Sequence, residues 1–363
     1  MIRLERRAEP SPAWRWGAPL VAVLATRDAG GILFALLGKD PLLAIRTIFW
    51  DPLFGPFASY TRAQLLVKAG PLILIAIGLS FGFRAGVWNI GAEGQYILGA
   101  IVGAALGLHF YPAETRWIFV LMIIGGAVGG MLWGLIPAVL KVKLGTNEIL
   151  VSLMLVYVAE FLLARMATGP LRNPEGMGFP GSRNMSQWAS SANLELFSGT
   201  GIHWGVIFAL AAVVASYVAY AKHRFGFDIR LAGQAPRAAA FGGVNPGRLT
   251  ILCLGLSGAL AGLAGVFEVT GPAGQISIDF AVGYGFTAVI VAFLGRLHPV
   301  GILLAGLLMA LTYIGGEMAE MALQLPRAAI QLFQGMLLFF LLGLDVFTNY
   351  RLRLGKPRQG ASV

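Results

Sequence analysis

The sequence predicts an all-α polytopic membrane protein with about ten transmembrane helices. Three observations carry that prediction. Only 12% of the residues are charged, where a soluble domain carries about 25%, and the mean hydropathy is +0.75. Apolar runs of about 20 residues, the length that crosses a bilayer as a helix, recur along the 363 residues. The basic residues gather at the ends of those runs, as they do on cytoplasmic loops. The runs are too long for outer-membrane strands of about 10 residues. The 49 glycines suit close helix packing in lipid. Distributed in this way, the net charge of +10 reads as membrane topology and not as nucleic-acid binding.

Residues 1–16 read as a cytoplasmic tail with Arg3, Arg6, Arg7 and Arg15. The transmembrane part covers 17–347. Its first span, about 16–37, carries Arg27 and Asp28 in mid-run. It lacks a small-residue cleavage site after a basic lead, so it reads as a retained span and not as a signal peptide. An outer segment, 38–62, is expected to be broken by Pro41, Pro52 and Pro56. The second span, 64–83, ends at Arg84 on the inside. The third covers 85–110. The fourth, 117–140, ends in Lys141 and Lys143, and the fifth opens on Gly145-Thr146-Asn147-Glu148 and runs to about 166.

Residues 167–200, rich in Gly, Pro, Ser and Asn, read as an external loop that divides the chain into two halves. The sixth span, 202–221, leads into a basic cytoplasmic loop at 222–248. Within that loop, Gln234 to Phe241 reads as a short helix, because alanine favours helix and proline is tolerated in the first turn. The seventh span is 249–267. Residues 268–285 form a glycine-rich outer segment, and 286–294 is too short for a full crossing, which suggests a broken or re-entrant start. The ninth span is placed at 300–315, a short external connection, irregular or helical, at 317–327, and the tenth span at 328–347. A basic tail, 348–363, follows. Ten crossings put both termini in the cytoplasm, with most of the 27 Lys and Arg on that side.

The stretch that organises the chain lies between two apolar runs, 72–83 and 97–108, and contains Trp88, Asn89, Glu93 and Gln95. A polar group in hydrocarbon costs roughly several kcal/mol unless it is paired or faces a polar cavity. Gly86, Gly91 and Gly94 permit a break or a close approach. The stretch therefore reads as a broken intramembrane helix start beside a solute pathway, or as helix packing with its polar groups bonded to neighbours. Glu93 would sit in a first helical turn, where the dipole favours an anion. Asn147 and Glu148 stand at another span start, as capping groups or pathway groups. Trp88 and Phe286 offer aromatic faces to a planar solute, or serve as packing.

Other chemistry has no sequence signature here. No phosphate-cradling glycine loop ending in Gly-Lys-Ser or Gly-Lys-Thr occurs, so ATP hydrolysis by this chain is not expected. Four scattered histidines show no zinc spacing, and a single cysteine, Cys253, permits no intrachain disulfide. No metal site is expected. A polytopic scaffold with a few intramembrane polar groups suits the movement of a solute.

The segment Phe83-Arg84-Ala85-Gly86-Val87-Trp88-Asn89-Ile90-Gly91-Ala92-Glu93-Gly94-Gln95 resembles the signature of ABC importer permeases of the branched-chain amino acid, ribose and nucleoside superfamily. Gly145 to Leu150, Thr168 to Arg172, Gly226 to Arg230, Ala238 to Val244, Leu256 to Gly265 and Gly283 to Phe286 extend the resemblance in order. It is closest to the longer nucleoside-type permease. The resemblance implies two related bundles of opposite orientation, a type II ABC importer-like fold, in a bacterial inner membrane. It also implies partners: a second permease chain, cytoplasmic ATPase subunits and an extracytoplasmic solute-binding lipoprotein, all in or beside membrane lipid. ATP and Mg would be bound by the ATPase partners, and no cofactor by this chain. The loop containing Asp228, Arg230, Arg237 and Phe241 would meet the ATPase. The implied solute is a nucleoside, purine nucleosides first, moved by alternating access. Ribose- or galactose-type sugars are the alternative substrate. An ion-coupled secondary transporter, with Glu93 or Glu160 titrating, is the alternative mechanism.

Overall fold

A computed structural model describes residues 2–7 and 11–354. The helices are α1 (Pro12–Leu36), α2 (Pro41–Phe49), α3 (Asp51–Phe54), α4 (Ala58–Arg84), α5 (Ala92–His109), α6 (Trp117–Leu144), α7 (Glu148–Thr168), α8 (Trp204–Lys222), α9 (Arg224–Gln234), α10 (Pro236–Phe241), α11 (Pro246–Thr270), α12 (Tyr284–Leu294), α13 (Pro299–Leu323) and α14 (Arg327–Asn349). Among the described residues, 8 helices are long and apolar enough to cross a membrane. Six helices fall outside that set: α2, α3, α9 and α10 are short, and the other two are α5 and α12. The first turn of α5 carries Glu93 and Gln95, and α12 has 11 residues.

The chain forms two compact units. One contains the two ends of the chain, up to Ala58 and from Thr312. In it, β1 (Ile2–Arg6) pairs antiparallel with β2 (Tyr350–Leu354), Ile2 opposite Leu354. The core holds Phe34, Ala44, Ile48, Ala319, Leu325, Ile330 and Phe333. Phe34 stacks on Phe333 with ring centroids 5.8 Å apart. Asp40 caps α2 by accepting the N–H groups of Leu42 and Leu43. Arg27 and Asp28 pair with each other along α1, Nε to Oδ1 2.9 Å.

The second unit, Ser59–Leu311, is built around α11, which packs against α5 and α6. Glycine makes this packing possible. A Cβ on Gly99 would lie 2.2 Å from the Cα of Gly262, and one on Gly258 would lie 2.3 Å from the Gly130 carbonyl oxygen. Backbones this close place dispersion contacts where lipid supplies no hydrophobic drive between helices. The segment between α7 and α8 is irregular apart from a 3-10 turn, Met185–Gln187. It pairs with the end of α11 and the segment after it: Ser182 N–H donates to the Ile276 carbonyl, 2.9 Å, and Asn193 N–H to the Thr270 carbonyl, 3.0 Å.

Several expectations need correction. The third span does not begin at residue 85: residues 85–91 are non-helical and the helix starts at Ala92. The prolines of 38–62 do not break the segment throughout, since Pro41 and Pro52 each open a helix at its first turns, where a missing N–H costs nothing. The ninth span does not stop at 315. Helix α13 runs on through Glu317 and Glu320 to Leu323, leaving only 324–326 as the connection. The terminal segments are not plain tails, because residues 2–6 and 350–354 form the two strands. The 222–248 loop contains a second helix, α9, ahead of the expected one, and the expected one starts at Pro236.

Candidate functional site: two helix breaks and a basic hairpin

The first break lies between α4 and α5. Gly86 adopts a positive φ of 75°, which turns the chain out of helix after Arg84. The backbone groups that leave the helical ladder are then taken up by side chains, as buried groups require. The Asn89 side-chain oxygen accepts the Gly91 N–H at 3.0 Å, and the Ser152 hydroxyl accepts the Ile90 N–H at 3.2 Å. The Asn89 and Gln95 amides exchange hydrogen bonds: Asn89 Nδ2 donates to Gln95 Oε1 at 2.9 Å, and Gln95 Nε2 to Asn89 Oδ1 at 3.2 Å. Asn89 Nδ2 also donates to the Ser257 hydroxyl at 2.9 Å. Asn89 and Gln95 are each 1% exposed, so this network is closed to a solute.

The second break precedes α12. Gly283 and Gly285 donate their N–H groups to the two carboxylate oxygens of Glu93, Gly283 to Oε1 at 2.9 Å and Gly285 to Oε2. Glu93 thus sits in the first turn of α5 and also caps the start of α12, where the N–H groups and the dipole favour an anion. Helix starts from two parts of the chain meet on one carboxylate. A Cβ on residue 285 would lie 2.2 Å from the Glu93 nitrogen, so only glycine permits the approach.

Asn147 caps α7, its side-chain oxygen accepting the N–H groups of Ile149 at 2.9 Å and Leu150 at 3.4 Å. The Glu148 carboxylate accepts from the Lys141 ammonium and from the Trp88 N–H, 3.3 Å. It ties the start of α7 to the end of α6 and to the first break. Asn89, Glu93, Gln95, Asn147 and Glu148 are therefore all bonded within the fold. Trp88 and Phe286 are each 40% exposed. The Trp88 ring stacks on Phe293 at 5.7 Å, and Phe83 stacks on Phe293 at 5.1 Å.

The 224–241 hairpin rests on this assembly. Two glycines let α9 lie close: a Cβ on Gly226 would meet the Ala219 carbonyl oxygen at 2.2 Å, and one on Gly233 the Arg84 carbonyl oxygen at 2.0 Å. Ile229 and Ala239 are buried beneath, while Phe227, Arg230, Arg237 and Phe241 are exposed, Phe241 at 94%. Asp228 is half-buried. Arg84 extends the connection. Its Nε donates to the Leu297 carbonyl, 2.9 Å, just past the end of α12, and its guanidinium lies 4.1 Å from the centre of the Tyr220 ring. The Tyr220 hydroxyl in turn bonds the Ser80 hydroxyl at 2.9 Å. Helix α12 is thus held at its start by Glu93 and beyond its end by Arg84, and Arg84 is also the residue on which α9 rests.

Arg84 was legible as an inside marker and as part of the resembling segment, and Lys141 as an inside marker only. Ser257 stood only within a resembling segment, and Ser152 and Phe293 carried no signal in the sequence, because their partners lie far along the chain. On the other side of the unit, His203 accepts the Gly205 N–H on Nδ1 at 3.0 Å and packs with Asn193, and burial lowers its pKa to about 4. Among the described residues, no group of three or more His, Cys, Asp or Glu could hold a metal ion.

A hairpin with a buried underside and an exposed basic and aromatic face, seated on two helix breaks inside a polytopic membrane protein, fits a transport subunit driven from outside itself. Residues 61–342 match the model of the family described as branched-chain amino acid transport system / permease component. The chain belongs to this family of ABC-importer permeases. The permease is 35% identical to a glucose ABC transporter permease protein of Haloferax volcanii, over 96% of this chain and 93% of that one. It is 30% identical to a nucleoside ABC transporter permease protein of Lactococcus lactis, over 82% of each chain. It is 28% identical to a guanosine ABC transporter permease protein of Bacillus subtilis, over 95% of this chain and 97% of that one. No solved structure matches it. The permease is the transport component of such a system and not its ATPase.

Proposed function

We propose that this permease passes nucleosides, purine nucleosides first, across the cytoplasmic membrane by alternating access, driven by cytoplasmic ATPase subunits. The observation that carries the coupling is the seating of the 224–241 hairpin. Its underside rests on Arg84 at the first break, and its exposed face offers Phe227, Arg230, Arg237 and Phe241 to a partner. Movement of the hairpin would reach α12 through Arg84. The partners are a second permease of different sequence, the ATPases, which hold ATP and Mg, and an extracytoplasmic binding lipoprotein that delivers solute.

The nucleoside assignment rests on the motif resemblance and on relatives named for nucleosides and guanosine. A sugar is the second reading, favoured by the relative named for glucose, which is similar over nearly the whole of both chains. The ion-coupled mechanism loses its main candidate, because both carboxylate oxygens of Glu93 hold the start of α12. The ten spans are completed by α5 and α12. The order of elements repeats: α4 to α7 and α11 to α14 each run long helix, non-helical link, shorter helix, then two long helices joined by a three-residue turn. That repeat supports two related halves.

The test is uptake by the reconstituted importer in proteoliposomes with its binding protein. ATP-dependent accumulation of guanosine, unaffected by excess glucose, is the expected result. ATP-dependent glucose uptake that guanosine does not inhibit would replace the substrate and keep the mechanism.

A further inference from the structure

Helix α12 has a single open stripe. Tyr284, Gly285, Thr287, Ala288, Ile290, Val291, Ala292 and Leu294 are buried, leaving Phe286 exposed and Val289 and Phe293 half-buried. Those positions fall at i, i+3 and i+7, one face of a helix. Trp88 continues the stripe, since its ring stacks on Phe293 and is 40% exposed.

The depth of this stripe follows from its neighbours. A Cβ on Gly91 would meet the Ser152 carbonyl at 2.6 Å, and one on Gly94 would meet the Val156 Cα at 3.2 Å. Glu93, between them, therefore lies about 10 Å along α7 from its start at Glu148, at 1.5 Å per residue. The start of α12 is bonded to Glu93 and shares that depth. Its 11 residues span about 16 Å, roughly half of a hydrocarbon core. The chain before it, residues 281–283, is non-helical and half-exposed. Irregular backbone at membrane depth is tolerated only where it is buried in protein or lines a water-filled cavity, because lipid cannot satisfy its N–H and C=O groups. The open side of this break therefore faces water or a partner chain, and not lipid.

We infer that the Phe286–Val289–Phe293 stripe, continued by Trp88, lines the solute path and stacks on the flat ring face of the passing solute. Aromatic faces receive a nucleobase by stacking and the apolar face of a hexose ring by packing, so both candidate solutes share the chemistry. The inference rests on the permease reading above and adds the surface that meets the solute. Asn89, Glu93 and Gln95 contribute by holding the two breaks open at this depth.

Thiol mapping tests it in the intact importer in proteoliposomes. The single cysteine, Cys253, is fully buried, so an introduced thiol is read against a quiet background. Phe286→Cys, Val289→Cys and Phe293→Cys should react with a charged, water-soluble methanethiosulfonate, several-fold more slowly when guanosine or glucose is present. Protection by guanosine identifies a nucleobase as the stacked ring, and protection by glucose a hexose. Val289→Cys is the mild variant should a lost phenylalanine impair assembly. Reaction with a lipid-soluble maleimide alone, while ATP-driven uptake persists, would place the stripe against lipid and overturn the inference. Reaction without protection by either solute would overturn the stacking. In parallel, Phe286→Ala should raise the half-saturating solute concentration about tenfold, and Phe286→Tyr should restore it. Failure of the unmutated complex to use ATP for uptake would instead count against the permease mechanism.

Discussion

Replacing Glu93 with glutamine keeps the size of the side chain and removes its charge from the start of α12. A carboxylate at that place accepts both N–H groups, whereas an amide offers one acceptor oxygen. The variant should lose about 1–2 kcal/mol of stability, read as a lower unfolding temperature in mild detergent. Asn89→Ala should cost about 1–3 kcal/mol in the same assay, because it strands Gln95, Ser257 and the Gly91 N–H in a buried site. His203 gives a pH dependence. Its pKa is held near 4, below the value of about 6.5 in an unfolded chain, so the unfolded form binds more protons in that interval. The stability it supports is complete above pH about 6.5 and falls as the pH drops toward 4. Limited proteolysis of the segment between α7 and α8 should accelerate over that range, and the acceleration should flatten in His203→Asn. The sequence marked Asn89, Glu93 and Gln95 as unusual because polar groups stood between apolar runs. Their partners were hidden, since Ser257 and Gly283 lie more than 160 residues away in the chain.

Helix α9 shows why one element escaped the sequence and its neighbour did not. Pro236 and three alanines announce α10. Helix α9 carries glycines at 226 and 233, residues that disfavour helix in isolation, and those two positions are where it packs against Ala219 and Arg84. Tertiary contact overrides propensity there. Gly233→Val should push the hairpin off Arg84. ATPase activity in the reconstituted complex should then lose its response to solute-loaded binding protein. Charge reversal at Arg237, or alanine at Phe241, removes exposed groups only, so membrane insertion and thermal stability should be unchanged while ATP hydrolysis and uptake become uncoupled. Normal coupling in both variants would remove the hairpin from the account. The α11 packing has the opposite expectation. Gly262→Leu fills a space closed by Gly126 and Gly130, and should prevent assembly of the unit.

The membrane class of the whole molecule was legible from composition and run length alone, because charge depletion and 20-residue periodicity are properties of the chain as a whole. Most span ends fell within a few residues of the helix ends. The exceptions have physical causes. Glu317 and Glu320 resemble a loop by charge, yet α13 continues through them, as helix formation tolerates exposed acids. The pairing of residues 2–6 with 350–354 joins opposite ends of the chain and leaves no local pattern. If α5 and α12 complete ten crossings, reporter tags placed before residue 2 and after residue 354 should both lie in the cytoplasm, and a tag between α7 and α8 outside. A terminus on each side would require an odd number of crossings and would break the proposed pair of related halves.

In the proposed cycle, ATP hydrolysed by partners drives solute through this permease. The most direct measurement is uptake of labelled guanosine and glucose into proteoliposomes holding the purified complex, its binding protein and internal or external ATP on the ATPase side, with ion gradients collapsed. Accumulation should require ATP and the binding protein and disappear in Arg237→Glu. Accumulation that needs no ATP and follows an imposed proton or sodium gradient would contradict it.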